Sequence, residues 1–443
     1  MGGKRIFEAR MLVEGIAVGI GAGLVVSIFR YLLDASAAFR DILYGQWMEE
    51  TPLVTILWFL ALLLAAFAIR WMMRACPVAA GSGIPQVKGL LRGKLDLPWG
   101  RVLPFKFIGA VLGIGAGLSL GRQGPSVQFG ACVGQAVGCL RGRPGSREER
   151  CLITAGAGAG LAAAFNAPLA GTVFCLEELS HRFSSMQILV GIIAAAAATA
   201  VSHVFFDEHP VFRFGELLPM VPLGIHYIHF IGLGVFCGFL GLVFNRGLLL
   251  SLDMYDRIHA KGLPKPLLPL LLAGLLGFVL PEILGGGDIL VNQLLESDIS
   301  LRFLLLLFAA KFLFTLLCFG SGTPGGIFLP MMALGAASGA IYAKAAVFFG
   351  WLDPSWELCC IVFGMAAYFS GAVKSPVSSS ILIMEITGSF SNMLILLCVS
   401  LSACMVLDMA RVRPVYNALL ERQLREKKKA ARKSIPQSAV DSK

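Results

Sequence analysis

The stretch ITAGAGAGLAAAFNAPLAGTVFCLEEL (residues 153–179) recurs without gaps in the second half of the chain as IVFGMAAYFSGAVKSPVSSSILIMEIT (residues 361–387). In each copy an apolar, helix-forming run is broken just before a proline. A shorter apolar run follows and ends near an acidic residue, Glu177 in the first copy and Glu385 in the second. Two glycine- and alanine-rich stretches can resemble each other by chance, but the matching break and terminal acid favour a true internal repeat.

The charges around the two copies predict that they are inserted in opposite orientations. The first copy follows four arginines and precedes His181 and Arg182. The second copy follows two acids, and no Lys or Arg occurs between Lys374 and Arg411. Because basic residues accumulate on the cytoplasmic side, we expect the ends of the first copy to be cytoplasmic and those of the second external. Inverted repeats of this kind place their substrate site near mid-membrane, at broken helix ends.

The composition agrees with a membrane location. The 443 residues are 57% hydrophobic and only 14% charged, whereas soluble proteins carry about a quarter charged residues. Apolar runs recur from Met11 to Met409, and many are too short or too broken for a simple span of about 20 residues. We therefore predict an all-α polytopic membrane protein with an inverted-topology repeat and broken, re-entrant helices.

The predicted organisation has six parts. They are a cytoplasmic amino terminus (1–10), a first membrane repeat (11–204), a connecting loop (205–222), a second membrane repeat (223–410), a helix with Tyr416 (411–424) and a basic cytoplasmic tail (425–443). The net charge of +10 lies in short loops and at the termini, as expected for a protein of a cell inner membrane with both termini cytoplasmic. Membrane lipid, rather than nucleic acid, is the partner that this charge predicts.

Three Gly/Pro-rich breaks open helices inside the apolar sequence: GSGIP (81–85), GRQGP (121–125) and GSGTPGGIFLP (320–330). Glycine permits unusual dihedrals, and proline is favoured in the first turn of a helix. Each helix start presents free N–H groups and a positive dipole end, which favour an anion. One break alone is more simply a helix kink, but three around an inverted repeat predict an anion site without a full positive charge that would trap the ion.

These breaks, in this order, together with the tyrosine of RPVYNALL (413–420), resemble the signature elements of the CLC family of chloride channels and proton/chloride exchangers. The resemblance extends from about residue 11 to residue 424 and is to the prokaryotic type, which has no C-terminal regulatory domain. It implies transport of chloride and similar anions by a homodimer with an independent pore in each subunit. It also implies that the protein is not an enzyme and needs no cofactor or metal.

The resemblance implies roles for particular residues. The anion site would comprise Ser82, Gly83, Ile84, Arg122, Gln123, Gly124, Ile327, Phe328 and Tyr416. Ser82 and Tyr416 would give hydroxyls, and the other residues backbone amides. A serine at position 82 is what chloride-selective members carry, whereas nitrate-preferring relatives have proline. Glu178 matches an internal proton relay, and Lys106 matches a lysine that would raise the positive potential. The roles of Glu177 and Lys311 stay open.

Two departures from the family pattern decide the mechanism. In exchangers and most channels of the family the third residue of G-R-x-G-P is Glu, which competes with chloride and carries the proton. Here it is Gln123, and no acid occurs between Asp96 and Glu148. The second departure is Gln86, where Glu is common. The sequence predicts a passive chloride pathway uncoupled from protons. The alternatives are an exchanger that uses another acid, or one whose native Glu has been replaced by Gln.

Two other classes of protein fit less well. An intramembrane enzyme would need a metal or nucleophile cluster, but the six His and 11 Cys residues show no ligand spacing. GIGAGL (113–118) contains no complete GxGxxG and lies within an apolar run. A membrane scaffold would fit the composition but would not explain three anion-type helix starts. Anion efflux from proteoliposomes separates these classes from a transporter.

Overall fold

The computed structural model describes residues 2–48, 51–180, 184–206, 212, 218–221, 224, 226–258 and 263–433. Within these ranges every regular element is a helix, so the predicted all-α fold is confirmed. His181, Arg182 and most of the predicted connecting loop (205–222) lie outside the described residues.

Seventeen α-helices follow one another along the described chain. They are α1 (Gly2–Ile42), α2 (Pro52–Ala75), α3 (Ile84–Leu91), α4 (Trp99–Gly115), α5 (Gln123–Leu140), α6 (Arg147–Phe165), α7 (Pro168–Phe174), α8 (Ser185–Phe205), α9 (His226–Arg257), α10 (Leu267–Val279), α11 (Asp288–Glu296), α12 (Leu301–Gly320), α13 (Phe328–Phe348), α14 (Glu357–Val373), α15 (Pro376–Thr387), α16 (Met393–Met409) and α17 (Val415–Lys433). Among the described residues, eight helical segments are long and apolar enough to cross a membrane. The short helices between them, such as α3 and α7, begin at the sequence breaks.

The two copies of the repeat form the same backbone unit. Asn166 caps the end of helix α6 and Lys374 caps the end of α14, and both residues adopt the left-handed conformation, with φ of 56° and 62°. Non-glycine residues rarely adopt this conformation except where it ends a helix. In each copy a proline then starts a shorter helix, α7 or α15. The break predicted from the sequence is therefore a helix cap followed by a new helix start in both halves.

The two copies also cap each other. The Glu177 carboxylate accepts hydrogen bonds from the backbone N–H of Ser378 (2.7 Å) and from its hydroxyl, at the start of α15. The Glu385 carboxylate accepts from the N–H groups of Leu169 (3.1 Å) and Ala170 (2.7 Å), at the start of α7. Each acid neutralises the positive end of the other helix. Because the end of each unit meets the start of the other, the two short helices run antiparallel, and Glu177 has a structural role.

Close glycine contacts join the longer helices in both halves. A Cβ atom on Gly130 of α5 would overlap the carbonyl oxygen of Gly156 of α6. A Cβ atom on Gly335 of α13 would likewise lie 2.6 Å from the carbonyl oxygen of Gly364 of α14. Helices in membranes gain packing energy from such backbone approach. Glycine is therefore required at these positions because the helices approach closely, and not because the chain turns there.

The repeat extends further toward the amino terminus than the sequence comparison indicates. Gly81 and Gly83 precede α3 with φ of 67° and 103°, and Gly285 and Gly287 precede α11 with φ of 61° and 112°. In both halves a short 3₁₀ turn that begins with proline comes just before these glycines. Helix α11 is not predicted from the sequence. Residue 425, where the predicted basic tail begins, lies within the continuous helix α17.

Candidate anion site

The three sequence breaks are joined directly by backbone hydrogen bonds. The N–H of Gly81 donates to the carbonyl of Gly322 (3.0 Å), and the N–H of Gly325 donates to the carbonyl of Gly81 (3.1 Å). Gly121 and Gly326 exchange two hydrogen bonds, of 2.6 and 2.8 Å. The starts of α3, α5 and α13 therefore meet in one place, as an anion site built from helix ends requires.

The start of α3 is held from two directions. Gln86 accepts a hydrogen bond from the N–H of Gly83 (3.0 Å) through its side-chain oxygen, and its amide nitrogen donates to the carbonyl of Ala80 (2.7 Å). The buried ammonium of Lys106 donates to the carbonyl of Gly81. Ile84, the first residue of the helix, is fully buried. Gln86 thus caps the helix, a function that does not require the Glu common in the family pattern.

The start of α5 contains Arg122 at the cap position, followed by Gln123 and Gly124. The side chain of Gln123 is fully buried, and neither its amide oxygen nor its amide nitrogen has a hydrogen-bond partner among the described residues. Gly124 packs against Ser82, since a Cβ atom on it would lie 2.8 Å from the Ser82 hydroxyl oxygen. An unpaired buried amide costs free energy of about 1–3 kcal/mol, and a polar ligand that paired with it would remove this cost.

The start of α13 provides the third helix end, with Ile327 at the cap position and Phe328 as the first residue. Both residues are fully buried. The Phe328 ring packs on Phe369 with centroids 4.2 Å apart, and on Phe165 and Phe174 at 5.5 and 5.6 Å. The N–H groups of a first helical turn have no acceptor within the helix. An aromatic cluster therefore packs beside a helix start whose backbone donors lack acceptors within the helix.

Two hydroxyls complete the arrangement. Ser82 precedes α3, and Tyr416 lies in the first turn of α17, which packs against α3. Both side chains are buried, and neither hydroxyl has a partner in the described part of the chain. Buried hydroxyls are normally hydrogen-bonded, because leaving one unpaired is costly. An O–H donor that no protein group satisfies is suited to hold an anion.

Glu178 lies in a buried ion pair that its sequence position does not predict. Its carboxylate accepts from the ammonium of Lys88 on α3, with 2.6 Å between nitrogen and oxygen. The hydroxyl of Ser375, the residue before α15, donates to its other oxygen at 3.2 Å. Lys88 is fully buried and Glu178 is 3% exposed. Lys88 is the one charged residue of the segment IPQVKGLL. A lysine in such a segment indicates that a buried acid compensates its charge.

A cavity of about 450 Å³ adjoins the start of α5. Its charged lining residues are Arg30, Arg40, Arg122, Asp34 and Asp288, so cations outnumber acids there. The Arg122 guanidinium lies 3.3 Å from the Asp34 carboxylate. Such a cavity would concentrate anions beside the helix end.

Lys311, whose role the sequence leaves open, holds the corresponding loop in the second half. It donates to the carbonyls of Ile283 and Gly285, both at 2.8 Å. Lys106 does the same for Gly81 in the first half. Both lysines are fully buried. Their hydrogen bonds hold loop carbonyls in place, in addition to any effect of their charge on an anion. The described residues contain no cluster of His, Cys, Asp or Glu suited to a metal.

Broken helices in a membrane-type fold, with their amino-terminal ends facing one another, are typical of membrane proteins that transport anions. The sequence profile of the family described as "Voltage gated chloride channel" matches residues 62–408. The chain belongs to this family, the CLC family, whose members transport anions.

Similar relatives and solved structures agree with this assignment. The chain is 35% identical to the H(+)/Cl(−) exchange transporter ClcA of Vibrio cholerae serotype O1 over 442 residues, covering 97% of this chain and 92% of the relative. It matches a slow cyanobacterial Cl⁻/H⁺ antiporter with a TM-score of 0.86 and 33% identity, over 95% of this chain and 99% of that one. A CLC-type fluoride/proton antiporter shares the fold with a TM-score of 0.73 and 24% identity, over 90% and 95% of the two chains.

Proposed function

We propose that the protein conducts chloride passively, without coupling to protons. The observation that carries this proposal is Gln123 at the first position of α5, where its neutral amide is buried beside the meeting point of the three helix ends. A carboxylate there would compete with the anion and could carry a proton. An amide has nearly the same shape, but it neither ionises nor transfers a proton under ordinary conditions.

Chloride would be held by groups that carry no full charge. Ser82 and Tyr416 donate their hydroxyls, and the helix starts at Ile84, Gln123 and Phe328 donate backbone N–H groups. Such a site replaces the water shell of the ion but binds it weakly enough to release it. We further propose a homodimer with one pathway per subunit, located in a cell inner membrane with both termini cytoplasmic. The protein then performs no covalent chemistry.

The second candidate is proton/chloride exchange. It is favoured by the names of the similar proteins, one called an H(+)/Cl(−) exchange transporter and another a Cl⁻/H⁺ antiporter. Glu178, at the position of the internal proton relay, is present. Its ion pair with Lys88 opposes this role, however, because proton uptake by Glu178 would leave a buried lysine without its counter-charge.

Flux in proteoliposomes separates the two candidates. We expect a chloride gradient to drive chloride efflux with no uphill proton movement, and the reversal potential to follow the chloride gradient alone. The measurement combines a chloride electrode with a pH indicator outside the vesicles. Proton movement in a fixed ratio to chloride would overturn the passive mechanism and establish the exchanger.

The role of Ser82 is tested by anion selectivity. We expect Ser82→Pro to raise the ratio of nitrate to chloride flux by about fivefold, because the hydroxyl contributes a hydrogen bond of about 1 kcal/mol that chloride uses. Ser82→Thr, which keeps the hydroxyl, is the matched control and should leave the ratio unchanged. Equal ratios in the Pro and Thr variants would remove Ser82 from the site.

The opposite orientation of the two halves is tested by cysteine labelling. Single cysteines at Arg147, the first residue of α6, and at Ser355, just before α14, should react with a membrane-impermeant maleimide from opposite sides. Both positions are exposed. The half-buried native cysteines Cys139, Cys398 and Cys404 would first be replaced. Labelling of both positions from one side is incompatible with an inverted repeat.

A further inference from the structure

A second cavity, of about 1,090 Å³, lies between helices α2, α9, α10 and α12. It is separate from the anion site and is lined mainly by Leu and Met side chains, among them Met254, Leu268 and Leu313. These three side chains are more than half exposed, so the cavity is a groove that opens sideways on the surface of the helix bundle. An apolar groove of this size on a membrane-spanning surface suits an acyl chain.

Two cations lie at one end of this groove. Arg70 and Arg74 are one turn apart near the end of α2, and both line the groove. Residues four apart on a helix project from the same face, so both side chains can reach the groove from α2. Lys265, also in the lining, is held by Asp256 at 2.9 Å. Arginine pairs at the end of an apolar span attract anionic lipid headgroups.

A buried hydroxyl provides a further, independent indication of a ligand. Tyr255 lines the groove and is only 8% exposed, and its hydroxyl has no hydrogen-bond partner among the described residues. An unsatisfied buried hydroxyl is costly, and neither leucine nor methionine can relieve that cost. A ligand that brings an ester or phosphate oxygen into the groove would accept this hydrogen bond.

We propose that the groove binds an anionic phospholipid of the surrounding bilayer. Its acyl chain lies among the leucines of α10 and α12, its headgroup phosphate contacts Arg70 and Arg74, and an oxygen near the headgroup accepts from Tyr255. The Tyr255 ring packs on Gly320, where a Cβ atom would lie 2.7 Å from the ring. Gly320 opens the break that leads to α13. The bound lipid would therefore support one wall of the loop that carries a helix start of the anion site.

The headgroup contact is tested by native mass spectrometry of the delipidated full chain in detergent. Dioleoyl phosphatidylglycerol should bind more tightly than dioleoyl phosphatidylcholine. The double variant Arg70→Gln/Arg74→Gln should weaken phosphatidylglycerol binding by about thirtyfold, since each arginine near a lipid surface contributes about fivefold. Arg101→Gln/Arg147→Gln removes the same charge from exposed positions outside the groove and is the matched control.

The acyl contact is tested by filling the groove. Leu313→Trp should weaken binding of both lipids, whereas Leu306→Trp, at a similarly exposed position on α12 outside the groove, should not. Both positions face outward, so both variants should fold. Tyr255→Phe removes the hydroxyl and should lower the affinity for phosphatidylglycerol a few-fold. Equal phosphatidylglycerol affinity in the two double arginine variants would overturn the proposal. So would binding that is insensitive to Leu313→Trp, or full displacement of lipid by inorganic phosphate.

Discussion

Gln123→Glu is expected to make chloride flux strongly dependent on pH, with fast transport at low pH and slow transport at high pH. When the introduced Glu is protonated it has the shape of Gln123 and leaves the helix ends to the anion. When it is ionised, it places a negative charge next to the site, and like charges in close contact cost several kcal/mol. Flux should fall at least about tenfold across the transition. The unmodified protein, with nothing to titrate at position 123, should show a nearly flat profile.

The measurement is chloride efflux from proteoliposomes between about pH 4 and pH 8, which brackets the pKa of about 4.3 of Glu in water. Gln135→Glu is the matched control, because it adds the same charge to α5 several turns from the helix start. It should leave the profile flat. A Gln123→Glu variant that expresses and folds normally but shows no pH dependence would mean that position 123 only packs, and the passive mechanism would lose its main support.

The parts of the site that the sequence predicted are those encoded locally. GSGIP, GRQGP and GGIFLP each specify a helix start through glycine and proline, and the structure has helices beginning at Ile84, Gln123 and Phe328. Local sequence also predicted the repeat, since the cap at Asn166 and its counterpart at Lys374 follow from where the apolar runs stop. A local sequence pattern predicts a helix start or end when its physical cause, such as an unusual backbone dihedral or the missing N–H of proline, lies within a few residues.

The parts that the sequence did not predict depend on contacts between distant segments. Glu177 was ambiguous because its partner, Ser378, lies in the other half of the chain. The second glycine pair, at 285 and 287, is not predicted because Asp288 follows it instead of a proline motif. The number of residues between the glycine pair and the repeated stretch also differs between the two halves. Such pairings are set by the packing of the two halves, which composition and periodicity do not encode.

Lys88 makes the most consequential of these distant contacts. Its pair with Glu178 joins α3, which carries the Ser82 side of the site, to the segment after α7. Both charges are buried, so each depends on the other for compensation. The pair also bears on the Gln123→Glu experiment, because proton uptake by Glu178 would leave the buried Lys88 without its counter-charge. We therefore expect that variant to regain pH dependence more readily than proton coupling.

Removing one member of this pair should be far more damaging than removing both. Lys88→Met leaves a buried carboxylate without its cation, and Glu178→Gln leaves a buried ammonium without its anion. Breaking a buried pair in this way costs about 3–5 kcal/mol. The double variant Lys88→Met/Glu178→Gln leaves no charge and nearly the same volume, so its stability should lie close to that of the unmodified protein. The four proteins form a double-mutant cycle, which isolates the interaction between the two side chains.

The cycle is read from thermal unfolding of the purified proteins in detergent, together with chloride flux of those that reconstitute. Strong coupling predicts two unstable single variants and a stable double variant that still transports chloride. Additive losses would mean that Lys88 and Glu178 contribute independently and that the 2.6 Å contact is not what maintains the fold there. A double variant that is stable but no longer transports chloride would show instead that the pair serves the anion pathway directly, through the positive charge that Lys88 places on α3.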